Sequence, residues 1–253
     1  MKEKNNKAQV TIFIIVGAVI VVGILAVVLL AGKEPEVLRP SDLGPRDIVR
    51  SCVSDALSES IEKMLKNGGE ISPSQAISYQ GSEWNYLCYQ ADYYQGCYNT
   101  HPMLEMQIES EIRKDIQTDL LGCFNVMRED FENRGYDVSG GSHEYSIDLL
   151  PGNVRIDITK NIEISDESGT KKFDDFGFEV ASPIYDLVRI SREIVNGESQ
   201  FCNFEYNGYM LLYPKYDIRR IDYRDSKIYR VIDRRTGAEF KFAVRSCAFA
   251  PGI

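Results

Sequence analysis

The spacing of apolar residues along the chain changes character several times, and each change marks an element. From Val10 to Leu30 the residues read VTIFIIVGAVIVVGILAVVLL, with no charged side chain. At the rise of an α-helix such a run measures roughly 31 Å, the thickness of a bilayer core, so it predicts a transmembrane helix. Residues 33–44 follow as a linker stiffened by Pro35 and Pro40, which lack an amide donor and stop the helix at the membrane surface.

Beyond the linker the apolar spacing becomes helical. Pro45 suits a first helical position. Ile48, Val49, Cys52, Val53, Ala56, Leu57, Ile61 and Met64 then recur three and four apart until Asn67-Gly68-Gly69, a C-terminal stop. Ile112, Ile116, Leu120, Cys123, Met127 and Phe131, interleaved with charged residues and ended by Gly135, predict a second amphipathic helix of roughly thirty residues. After Gly135 the period falls to two. Residues 145–149, 154–158 and 162–164 alternate apolar with polar residues around turns at Pro151-Gly152-Asn153 and Lys160-Asn161, and residues 173–181 continue the meander. Pro183 opens a third helix through Ile184, Leu187, Val188, Ile190, Ile194 and Val195. Tyr216–Tyr223, Ile228–Asp233 and Glu239–Val244 return to strands, with Thr236-Gly237 as the last turn.

Helices and strands are grouped rather than alternating, which predicts the α+β class. The expected architecture is an N-terminal transmembrane helix followed by one extracytoplasmic domain. That domain would hold two long amphipathic helices, an antiparallel sheet and a third helix. The domain plan is a cytoplasmic leader at 1–8, the membrane helix at 9–32, the linker at 33–44 and the exterior α+β domain at 45–253.

Charge gives this plan an orientation. The formal net charge is −9, of which residues 1–8 carry +2, residues 9–32 none and residues 33–253 −11. Lys2, Lys4 and Lys7 precede the span, so the positive-inside rule places the N-terminus in the cytoplasm and the remainder outside a single-pass cell-membrane protein. A cleaved secretory signal would have a shorter apolar core.

Lys7, Ala8, Gln9, Val10 and Thr11, running at once into the apolar block, resemble the class III signal sequence of archaeal type IV pilins. The resemblance implies a prepilin-type peptidase as a partner, cutting between Ala8 and Gln9. The apolar helix would then become the mature N-terminus, an anchor that packs into a filament. Two features depart from the pilin pattern. Phe13 stands where many bacterial pilins carry a Glu, and Pro35 and Pro40 end the helix early.

The TIFII start of the span, Ser51-Cys52-Val53, Gly68-Gly69, Leu121-Gly122-Cys123-Phe124 and Phe242-Ala243-Val244-Arg245 are similar to motifs in a group of membrane-anchored, pilin-signal-bearing surface proteins of small-genome archaea. That resemblance implies a surface protein and supplies no activity.

Six cysteines outside the cytoplasm point to disulfides, and spacing alone leaves their pairing open. Cys52 and Cys123 lie on or beside the apolar stripes of two helices that must pack together. Cys88 and Cys97 enclose eight residues as a local loop, which leaves Cys202 with Cys247; buried thiols are the alternative. A zinc site at Cys97 and His101 would lack ligands, because the chain has two histidines and no CxxC. No metal or other cofactor is expected.

The stretch from Tyr79 to Tyr98 is the candidate partner-binding surface. It gathers the sole Trp, Trp84, with Tyr86, Tyr89, Tyr93 and Tyr94 around the Cys88 to Cys97 loop, a mix that serves protein contact and sugar stacking. Packing of the same rings over the core is the competing reading. Residues 213–245 carry a net +5 against −16 for residues 33–212, so neighbouring copies could attract each other end to end. The net acidic body carries no nucleic-acid recognition motif. Catalytic constellations are missing. Asp175-Phe176-Gly177 lacks the rest of a kinase pattern, and Asp166, Glu167, Asp174 and Asp175 lack the spacing of a calcium loop.

These observations predict a non-enzymatic, pilin-like subunit of a cell-surface filament or assembly, acting by protein contact with its own copies or other surface proteins. An anchored adhesin or receptor that uses the aromatic loop is the alternative. An extracytoplasmic hydrolase ranks last.

Overall fold

The computed structural model describes residues 43–250, together with Ile20 and Val21. The chain divides into two compact units between Leu43 and Gly44, and the fold below is that of the second. The processing site at Ala8 and Gln9 lies outside the described residues.

Helix α1 (Pro45–Lys66) begins where the sequence says it should. Pro45 needs no amide partner at the first position, and the Asp47 carboxylate accepts from the Gly44 amide at 3.3 Å. Its end depends on two glycines. Gly68 and Gly69 have φ of +63° and +87°, and a Cβ on Gly68 would stand 2.9 Å from that of Asn85. Left-handed backbone and close packing on a strand both demand glycine there.

Two sheets enclose the helices. The first runs in the order β1 (Ala76–Tyr79), β2 (Ser82–Tyr89), β9 (Glu239–Arg245), β8 (Ser226–Asp233), β7 (Tyr216–Tyr223), with β3 (Tyr98–Asn99) beside β2. Its β2/β9 pair is parallel and the others are antiparallel. The second sheet is an antiparallel meander of β4 (Asp137–Leu150), β5 (Asn153–Asp166) and β6 (Gly169–Ala181). Helix α1 packs on β6 and on β9, so it touches both sheets. Helix α4 (Ile184–Phe201) also contacts strands of both, and buries Leu187, Val188, Ile190, Ser191, Ile194, Val195 and Glu198. Helices α2 (Leu104–Asp115) and α3 (Gln117–Asn133) complete this layer, and the short α5 (Tyr206–Leu212) follows α4.

The class is α+β, with five helices in the second unit, and four expectations about it are corrected. Among the described residues no helix is long and apolar enough to cross a membrane; the apolar run of residues 10–30 falls outside them save for Ile20 and Val21. The second amphipathic helix is two helices meeting at Ile116; both pack on α1 and on β4, and α2 also packs on α4. One antiparallel sheet becomes two sheets, one of them mixed. Lys160-Asn161 is not a turn: β5 runs through it, and the register slips there against both neighbours, as at a β-bulge.

All six cysteines are paired: Cys52 with Cys123, Cys88 with Cys97, and Cys202 with Cys247. The first joins α1 to α3, and the other two brace the end of the first sheet.

Candidate contact surface

The aromatic stretch of the sequence is split by the fold into an inner and an outer set. Ser82–Tyr89 forms β2, which is flanked on both sides by other strands, so its rings are drawn inward. Trp84 is 5% exposed and Tyr86 is similarly buried, in a cluster with Ile77, Ile228 and Ala243. The Trp84 indole donates to the Tyr79 carbonyl at 3.3 Å, and the Tyr86 hydroxyl shares a 2.8 Å hydrogen bond with Ser226. Burial, partly offset by Ser226, raises the Tyr86 phenol above its ordinary value. Trp84 and Tyr86 are therefore removed from the expected binding surface, and Tyr89 is half-buried beside them.

The outer set is better placed for contact. Tyr94 is 54% exposed and Tyr98 71%, with Tyr93 also exposed. They are joined by Phe249, 76% exposed, whose ring meets Tyr94 edge-on with centroids 5.7 Å apart. Phe249 lies outside the stretch that composition singled out. Its position two residues after Cys247 was the available signal, since the disulfide ties that segment to the end of α4.

The backbone beneath these rings is held closely. The Gln90 amide donates to the Arg245 carbonyl at 3.0 Å, Tyr94 to Ala248 at 2.9 Å, and Cys247 to Gln95 at 2.7 Å. The Cys97 amide donates to Ser246 Oγ at 3.2 Å. Tyr94 and Cys247 both adopt left-handed backbone, with φ of +62° and +48°, which a non-glycine residue keeps only where its surroundings enforce it. Gly96 is required by proximity, since a Cβ there would lie 2.5 Å from the Ser199 carbonyl of α4.

Arg245 forms a pillar under the loop. Its guanidinium is almost wholly buried, donates to Asp225 at 2.7 Å and to the Gln90 carbonyl, and stands 5.7 Å and 5.2 Å from the Tyr89 and Tyr93 ring centroids. Burial works against ionisation of Asp225, but the hydrogen bond and charge of Arg245 outweigh it and hold the carboxyl below its ordinary value. The arrangement presents exposed rings on a backbone with little freedom to rearrange, so a partner would lose little entropy in ordering it.

The remaining candidates are structural in placement. Phe176 of the Asp175-Phe176-Gly177 tripeptide is a buried core residue of β6. The Asp166 carboxylate accepts from Ser168 and Gly169 within the β5/β6 turn, and those hydrogen bonds hold it below its ordinary value despite a small opposing effect of burial. His101 is paired with Glu70 at 2.7 Å, and Cys97 is committed to its disulfide. Much of the basic stretch 213–245 pairs with its own acidic residues, Arg219 with Asp217, Arg220 with Asp222, and Arg230 with Glu239. Among the described residues no group of three or more His, Cys, Asp or Glu side chains is placed to hold a metal ion.

Comparison of the chain with models of known families, with curated proteins and with solved structures gives no match.

Proposed function

We propose that this chain is a cell-surface protein whose disulfide-bonded domain acts outside the cytoplasm by contact, with Tyr93, Tyr94, Tyr98 and Phe249 as its contact surface. The observation that carries this reading is the Tyr94–Phe249 pair, exposed yet mounted on a segment braced by two disulfides. Apolar rings in water contribute nothing to the core, and they gain free energy when a partner covers them. The three disulfides support an oxidising compartment. The orientation rests on Lys2, Lys4 and Lys7 ahead of the apolar residues 10–30.

In this reading the protein is an adhesin or receptor that meets flat apolar faces, of protein or of sugar rings. The test is retention of fluorescently labelled full chain on intact cells of the producing organism. A Tyr94→Ala, Phe249→Ala double variant should melt within a few degrees of the parent and lose most of that retention. Undiminished retention by a folded double variant would end the proposal.

A pilin-like filament subunit is the second reading, favoured by Lys7-Ala8-Gln9 ahead of the apolar run. Intact mass tests it: a mature chain beginning at Gln9 supports it, and a surface-isolated chain that retains Met1 opposes it.

A further inference from the structure

The second sheet holds a feature that a packed core does not explain. On β5, Ile156, Ile158, Ile162 and Ile164 are buried against the helices. Residue 160, in step with them, is a lysine. Its ammonium stands 5.1 Å from the centroid of the Phe124 ring on α3, so the side chain is directed under the helix rather than to the open face of the sheet. Inward charges on edge strands guard against aggregation, but β5 is the central strand of its sheet.

The register slips on either side of this lysine, between Gly140 and His143 on β4 and between Thr159 and Ile162 on β5, open a pocket beneath α3. Its cavity volume is about 80 Å³, and it opens to solvent. Its apolar wall is Leu121, Phe124, Met127 and Ile162, and its cations are Lys160 and Arg128. Lys160 donates one hydrogen bond, to the Gly141 carbonyl at 2.5 Å, and Arg128 donates to Asn125. Among the described residues neither forms an ion pair with a carboxylate.

We propose that this pocket binds a monocarboxylate carried on a small apolar body, with Lys160 and Arg128 holding the carboxylate and Leu121 and the edge of Phe124 flanking the body. The chemistry of the lining selects this class. A planar guanidinium beside an ammonium matches one carboxylate, and the wall offers dispersion and burial to carbon rather than the further donors a phosphate dianion needs. A carboxylate would give Lys160 and Arg128 the counter-charge that no carboxylate among the described residues supplies. Burial and the nearby charge of Arg128 lower the Lys160 pKa, and burial with the charge of Lys160 does the same to His143. Both shifts accord with a local excess of positive charge in a chain of net charge −9.

The carboxylate has two sources, a free acid or the C-terminal residue of a peptide. Isothermal titration of the full chain at low salt with benzoate, hexanoate and acetyl-Gly-Gly-Phe separates them, with benzamide and the amidated peptide as controls. Saturable binding of either acid or of the free-carboxylate peptide, absent for the matching amide, is the expected result, and the tighter probe identifies the source. Lys160→Met should weaken that binding by about ten-fold or more, the worth of one charge-assisted hydrogen bond. It should leave the melting temperature of the empty protein unchanged or higher.

Arg128 is exposed, so Arg128→Gln is a second variant that keeps the fold intact, and it should weaken binding in the same direction. The proposal is overturned by no saturable binding of any carboxylate probe, by equal affinity for acid and amide, or by parental affinity in a folded Lys160→Met or Arg128→Gln protein.

Discussion

Replacing Lys227 with Met tests the counter-charge of a fully buried carboxylate. Glu198, on α4, has no solvent exposure. One carboxylate oxygen is 2.5 Å from the Lys227 ammonium, and the other accepts from the Tyr229 hydroxyl at 2.5 Å. Lys227 also donates to the Cys202 carbonyl at 2.5 Å, which places the pair beside the Cys202–Cys247 disulfide. Burial first, and then the charge of Glu198, push the Tyr229 phenol far above its ordinary value, so it is protonated and donates at neutral pH.

Methionine keeps the length of the lysine and removes its charge. The carboxylate would then stay buried with its main counter-charge gone, a loss of about 3–5 kcal/mol. For a domain of this size that is a fall of roughly 10 °C in melting temperature. Removing the orphaned charge as well, with Glu198→Gln in the same chain, should restore more than half of the loss, because a neutral amide still accepts from Tyr229. Urea unfolding followed by the fluorescence of Trp84, the only tryptophan and itself buried, reads the four members of this cycle. A Lys227→Met protein within about 1 kcal/mol of the parent, together with no recovery in the double variant, would mean that water reaches Glu198 and would refute the reasoning.

The disulfides should differ in worth by the chain they close: losing Cys52–Cys123, which spans 71 residues, should cost about 4.4 kcal/mol, and losing Cys88–Cys97, which spans 9, about 2.6 kcal/mol. Calorimetry of the paired Cys→Ala variants checks the order, and a reversed order would sink the chain-entropy account here. Trp84→Ala should cost about 3–5 kcal/mol as a buried aromatic, whereas Tyr94→Ala should stay within about 0.5 kcal/mol; equal losses in urea would contradict their placement. Burial opposes ionisation of Asp225, Asp233 and Glu239, yet Arg245 for the first, the Thr236 and Arg235 amides for the second and Arg230 with Lys241 for the third hold each carboxyl below its ordinary value. Their stabilisation is thus complete above the ordinary values of 3.8 for Asp and 4.5 for Glu and is lost as pH falls through the lower folded values. Melting curves between pH 6 and pH 2, at roughly one-unit steps, should show stability declining at the acid end, and a flat profile would contradict the shifts.

Elements whose limits depend on neighbouring residues were legible in the sequence. Helix α1 starts at Pro45 and stops before Gly68-Gly69 because proline at a first turn and glycine in left-handed backbone act on the chain locally. The β7 to β9 strands lie where Tyr216–Tyr223, Ile228–Asp233 and Glu239–Val244 predicted strands, and Thr236-Gly237 marks their last turn. Positions decided by what packs from a distance were not. Trp84 and Tyr94 are equally aromatic on paper; one lies on a strand with neighbours on both sides and the other on a loop past its end. Lys160-Asn161 has the composition of a turn, but pairing with β4 and β6 on both flanks carries the strand through it as a bulge. The parallel union of β2 with β9, and the meeting of Tyr94 with Phe249 that it brings about, join residues more than 150 positions apart. Such contacts depend on the free energy of closing the whole chain, which no local spacing records.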